Sequence, residues 1–71
     1  MASHYSMMIQ WSAEDGVFVV SFPEFPFAHT HGASYEEAAR NGQDVLDLLR
    51  QSYEETRRCL PEPSVFAYAA A

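Results

Sequence analysis

The sequence predicts an α+β fold, an antiparallel sheet of three to four strands with one long helix packed on it, in the order β-β-β-α-β. Three observations predict it. Apolar residues alternate near the N-terminus, they recur at helical spacing in the second half, and a proline- and glycine-bearing stretch, FPEFPFAHTHGAS, separates the two regions. The 71 residues make one expected domain, 1–71. A chain this short buries only about 60% of the surface it exposes when unfolded, so self-association would help it.

Each element has its own signal. From Tyr5 to Trp11, Tyr5, Met7, Ile9 and Trp11 fall on one side and Ser6, Met8 and Gln10 on the other, the period of a half-buried strand. Ala13-Glu14-Asp15-Gly16 supplies a turn, with Asp15-Gly16 suited to positive backbone angles, so a hairpin follows. Its second arm, Val17 to Phe22, is apolar except at Ser21. Both of its faces should therefore be covered, one by the helix and one by a second subunit. Pro23 and Pro26 lack backbone donors and end regular pairing, leaving Ala28 to His31 to pair again as a short strand before Gly32 turns the chain.

Ser34 followed by Glu37 forms a capping box, and Glu36 and Glu37 suit the positive end of a helix dipole, so a helix starts at Tyr35. Ala38, Gly42, Val45, Leu49, Tyr53 and Thr56 share one face, flanked by Ala39, Leu46 and Leu48, and the pattern runs to about Cys59. Gly42 costs about 1 kcal/mol relative to alanine, which makes sense if helix and strand come close there. Pro61 and Pro63 stop the helix, and Ser64 to Tyr68 reads as a last short strand or arm.

Composition narrows the function classes. The chain is 48% hydrophobic and 14% aromatic, which marks a folded protein. Its basic residues are Arg40, Arg50, Arg57 and Arg58 against ten carboxylates, a formal charge of -6. Phosphate backbones repel such a chain, so direct nucleic-acid binding is not expected, and a basic protein is the better-matched partner. The plainer reading is that the acidity keeps a small protein soluble. No apolar run approaches the roughly 20 residues that cross a bilayer, no signal peptide is evident, and the single Cys59 can make no internal disulfide. A cytoplasmic protein with an inert, partly buried Cys59 is expected.

Catalytic signatures are missing from the pattern: there is no Gly-x-Ser-x-Gly elbow, no glycine-rich phosphate loop and no Cys-x-x-Cys. The expectation is no enzyme and no cofactor. His29 and His31 lie two apart and would share one face of a strand, yet a stable metal site wants three or four ligands and His4 lies elsewhere. They read as a polar edge. Glu24, between two prolines, is placed to hold a charge toward a partner on a stiff loop at low entropic cost.

Tyr5 opening a strand, the Glu14-Asp15-Gly16 turn, VFVVSFPEFP, THGASYEEAARNGQDVLDLL and the closing LPEPS together resemble the HicB antitoxin family over Tyr5 to Ser64. The resemblance implies a degenerate, partial ribonuclease H-like fold without catalytic carboxylates, assembled as a homo-dimer or homo-tetramer. It also implies a partner, a small basic HicA-type toxin that cleaves messenger RNA and is neutralised by binding. Phe27 and Ala28 stand where the family commonly has Gly-Cys. Family members also carry a C-terminal DNA-binding domain, and with the sequence stopping at Ala71 a solitary domain without direct operator binding is expected. Asp15, Glu24, Phe25 and Phe27 are the expected partner contacts, and Phe18, Val20, Phe66 and Tyr68 the expected subunit contacts. The alternative is a free-standing homo-oligomeric binding module with no toxin.

Overall fold

The hairpin and a third strand build the sheet in a computed structural model that describes residues 4–66. Strand β1 (Met8–Ser12) pairs antiparallel with β2 (Val17–Ser21), which pairs antiparallel with β3 (His29–Gly32), giving the order β1-β2-β3. Helix α1 (Tyr35–Glu55) follows and packs on one face, mainly over β3 and β2 and only lightly over β1. This is the expected α+β architecture. The fourth strand is not formed over Ser64–Phe66, and Ala67 and Tyr68 lie outside the described residues.

Register decides which side chains meet the helix. Directly opposed residues share a face. Ile9 lies opposite Val20 and Trp11 opposite Phe18, while Phe18 and Val20 lie opposite Gly32 and Thr30; these make the helix-facing side. Met8, Gln10, Ser12, Val17, Val19, Ser21, His29 and His31 make the outer side. The core is Val20, Phe22, Phe25, Ala38 and Leu46, with Tyr5, Met7, Ile9, Phe18, Val45, Leu49 and Tyr53 packed around it.

The hairpin turn works as its residues require. Gly16 has φ +66° and donates to the Ser12 carbonyl at 2.8 Å, and the Ser12 hydroxyl is bonded to the Asp15 carboxylate at 3.1 Å. At the helix start, Ser34 Oγ accepts from the Glu37 amide at 3.1 Å, and Glu37 Oε1 accepts from the Ala33 amide at 2.7 Å.

The helix ends at Glu55, earlier than its apolar spacing suggests. Arg57 adopts φ 55°, its amide donates to Glu54, and the Arg58 amide donates to Tyr53, the double bond pattern of a Schellman cap. Glycine usually fills the left-handed position, and the arginine there carries a strain of about 1–2 kcal/mol. Arg58 then folds its guanidinium over the Tyr53 ring at 4.2 Å, taking the place of the apolar contact that usually accompanies such a cap. Cys59, just beyond, is exposed rather than partly buried, because the chain has already left the helix.

Two glycines let the helix sit close to the sheet. A Cβ on Gly32 would overlap the backbone of Glu37 and Ala38, and one on Gly42 would meet Met7 Sδ and, at 3.3 Å, Val20 Cγ1. Gly32 has no positive φ, so its role is this approach rather than a turn. Backbone cannot step aside, whereas the end of a methionine can. Gly32→Ala is therefore expected to cost about 1–3 kcal/mol. Gly42→Ala should fall within about 1 kcal/mol of the wild type, because the gain in helix propensity offsets the contact. Thermal unfolding of the two variants checks the order.

Candidate interaction surfaces

The proline stretch forms two successive tight turns. The Phe25 amide donates to the Phe22 carbonyl and the Ala28 amide to the Phe25 carbonyl, both at 2.9 Å, so Pro23 and Pro26 each occupy the second position of a turn. Proline favours that position because its φ is already set. The Phe-Pro-x repeat has a period of three, so Phe22 and Phe25 both point inward and are 1% exposed, while the prolines face water. Phe25 is thus a core residue and not a partner contact. It stacks edge-on with Tyr5, Phe27 and Tyr53 at centroid distances of 5.0, 6.2 and 5.8 Å.

Glu24 is likewise not held out for a partner. Its carboxylate accepts from the Ser6 amide and hydroxyl, each at 3.0 Å, and from the Ser64 amide at 2.8 Å. One side chain therefore joins the approach to β1, the proline turns and the segment after the helix. Ser6 Oγ also lies 3.2 Å from the Ser64 carbonyl, and Tyr5 OH donates to the Pro61 carbonyl. Partial burial pushes the Glu24 carboxyl up, but hydrogen bonds from the Ser64, Ser6 and Glu24 amides and the Ser6 hydroxyl outweigh it and hold the group below its ordinary range.

What remains on the surface falls into three places. Phe27 is 63% exposed at the tip of the second turn. The outer sheet face carries a shallow open depression of about 370 Å³ lined by Asp15, Val17, Val19, His29, Thr30 and His31. His29 and His31 share that face, as their spacing requires. Asn41 of the helix donates to the His31 carbonyl at 2.8 Å and so ties the strand to α1. Among the described residues, no group of three or more His, Cys, Asp or Glu is placed to hold a metal ion.

The third place is an aromatic chain at the hairpin end of the molecule, which sequence spacing alone did not single out. Trp11 meets Phe18 edge-on at 5.0 Å, and Phe18 meets Tyr35 at 4.4 Å. Trp11 belongs to the helix-facing side by register, yet it is 57% exposed because α1 covers β1 only lightly. Tyr35 opens the helix and is exposed as well. The clue in the sequence was a tryptophan ending a strand beside an acidic turn.

The subunit contacts expected of Phe18 and Val20 need correcting in the same terms. Val20 is fully buried beneath the helix, and Phe18 shares its side of the sheet. The exposed side of β2 presents Val17 and Val19 instead, because side chains alternate along a strand. Phe66 is exposed, and Tyr68 lies outside the described residues. No described helix is long and apolar enough to cross a membrane.

Replacing the clamp carboxylate separates its role from that of a surface charge. Glu24→Gln is expected to destabilise by about 1–3 kcal/mol at neutral pH and to speed hydrogen exchange at the Ser6 and Ser64 amides. A carboxyl held below its ordinary pKa contributes stability at higher pH and loses it as pH falls through the folded value. The gap between wild type and Glu24→Gln in chemical denaturation should therefore close in acid, below pH about 4.5.

A family model described as "HicB_like antitoxin of bacterial toxin-antitoxin system" matches residues 4–70. No curated protein and no solved structure matches the chain.

Proposed function

Because the chain belongs to the HicB-like antitoxin family of bacterial toxin-antitoxin systems, we propose that it binds a small basic toxin of the HicA type and covers the surface with which that toxin cleaves messenger RNA. The observation that carries this reading is the family match over nearly the whole chain. Charge supports it: a molecule of formal charge -6 draws a basic protein toward it and speeds capture. The same field disfavours RNA, so the antitoxin meets the toxin rather than its substrate. On this reading the chain acts by binding, without a cofactor and without catalysis. Of the contacts expected from the sequence, Asp15 on the hairpin turn and Phe27 on the proline turn are exposed, whereas Glu24 and Phe25 serve the fold.

A second reading, a homo-oligomeric module, has its own support in the uncovered sheet face. Val17 and Val19 lie there among Met8, Gln10, Ser12, Ser21, His29 and His31, with no carboxylate among these residues. Asp15 stands at the margin. Two copies of an acidic protein can approach through such a face with little repulsion. Dimers or tetramers built this way are compatible with toxin binding elsewhere on the surface.

Co-expression tests the first reading. Cells arrested by an induced HicA-type toxin should resume growth when this chain is supplied, and purified toxin should lose its cleavage of messenger RNA in the chain's presence. Continued arrest, with both proteins soluble and no complex on gel filtration, would count decisively against it. For the second reading, sedimentation at micromolar concentration should show an oligomer that Val19→Glu converts to monomer while the circular dichroism is kept.

A further inference from the structure

The arginines of the molecule are not evenly spread. Three of the four arginines, Arg50, Arg57 and Arg58, lie in or beyond the last part of α1. At the other end, the hairpin turn carries Glu14 and Asp15, and the first helical turn carries Glu36 and Glu37. A helix of 21 residues is about 30 Å long, so the two ends stand well apart. Glu37 is engaged with the Ala33 amide and Asp15 with the Ser12 hydroxyl, while Glu14 and Glu36 are exposed. Arg40, on the following turn, is the one arginine toward this end.

The hairpin end is also where the aromatic chain lies. Trp11 and Tyr35 are 57% and 65% exposed, joined through the half-buried Phe18 ring. Phe18 packs against the core, so the two outer rings rest on a fixed base. A rigid aromatic surface with carboxylates close by in the chain has a definite complement. Tryptophan and tyrosine lose little side-chain freedom on contact, and their faces attract cations, arginine above all. The carboxylates steer the same charge and bond it at the edge.

We propose that Trp11, Phe18 and Tyr35, flanked in the chain by Glu14 and Glu36, form the docking surface for a basic protein, with an arginine of that partner laid over the exposed Trp11 ring. The proposal rests on the antitoxin reading for the partner's identity and adds the place and the chemistry of contact. Phe27 and the outer sheet face are then outside the contact. The partner's arginine is held by stacking as well as charge, so lysine in its place binds more weakly.

The single tryptophan gives a direct reporter. The chain is labelled with nitrogen-15 and titrated with an unlabelled, catalytically inactive HicA-type toxin, while the one indole N–H signal is followed. The expected result is a shifted or broadened indole signal. Trp11→Ala and Tyr35→Ala should each weaken binding at least tenfold, Glu36→Lys should slow association, and Leu48→Ala, an exposed control on the helix, should leave affinity unchanged. Amide spectra of each variant establish that it is folded, and Glu36→Lys leaves the aromatic rings in place. Toxin bound tightly with the indole signal unmoved and both aromatic variants unimpaired overturns this surface and leaves the antitoxin reading standing. No binding by the wild type overturns both.

Discussion

The closeness of α1 to the sheet is the constraint from which the rest of the molecule follows. The helix can lie against β3 and β2 only because Gly32 offers no side chain where the backbone of Glu37 and Ala38 passes, and because Gly42 leaves room for Met7 and Val20. The core is small, with Val20, Ala38 and Leu46 between the layers and Phe22 and Phe25 closing one end. With so few buried side chains, the loss of close packing at one point is a large fraction of the whole stability. The capping box and the Arg57 cap then set where this helix begins and ends, and thus which part of the sheet it covers.

Much of this was legible in the sequence because it rests on local rules. Alternation gave β1 and β2, Asp15-Gly16 gave the turn, and Ser34 with Glu37 gave the helix start, each a matter of a few neighbouring residues. The proline stretch departs from the expected arrangement for a physical reason. Prolines mark where pairing ends, but they do not say which way the flanking side chains point. Phe25 was expected outside and lies inside, because two turns in succession impose a period of three. Glu24 differs for another reason: its partners Ser6 and Ser64 are distant along the chain, and no local pattern announces a carboxylate shared between them. Parity explains the β2 correction, since covering both faces of an apolar strand leaves open which alternate residues meet the helix.

The off-centre position of the helix gives the two sheet faces different characters. On the outer side, Val17 and Val19 lie between uncharged neighbours and the imidazoles of His29 and His31. On the inner side, the part of β1 that the helix does not cover leaves Trp11 standing clear beside Tyr35 and the acidic turn. An uncharged face suits a like molecule, and an aromatic face edged with carboxylates suits an oppositely charged one.

The Glu24 carboxylate has a topological consequence. By holding Ser6 and Ser64 at once, it brings both ends of the folded unit to one spot on the surface. A short linker could join those ends and new termini could be opened at the hairpin turn, giving a circularly permuted protein with the same sheet and helix. The unit could also be spliced whole into a loop of another protein, entering and leaving through a single gate.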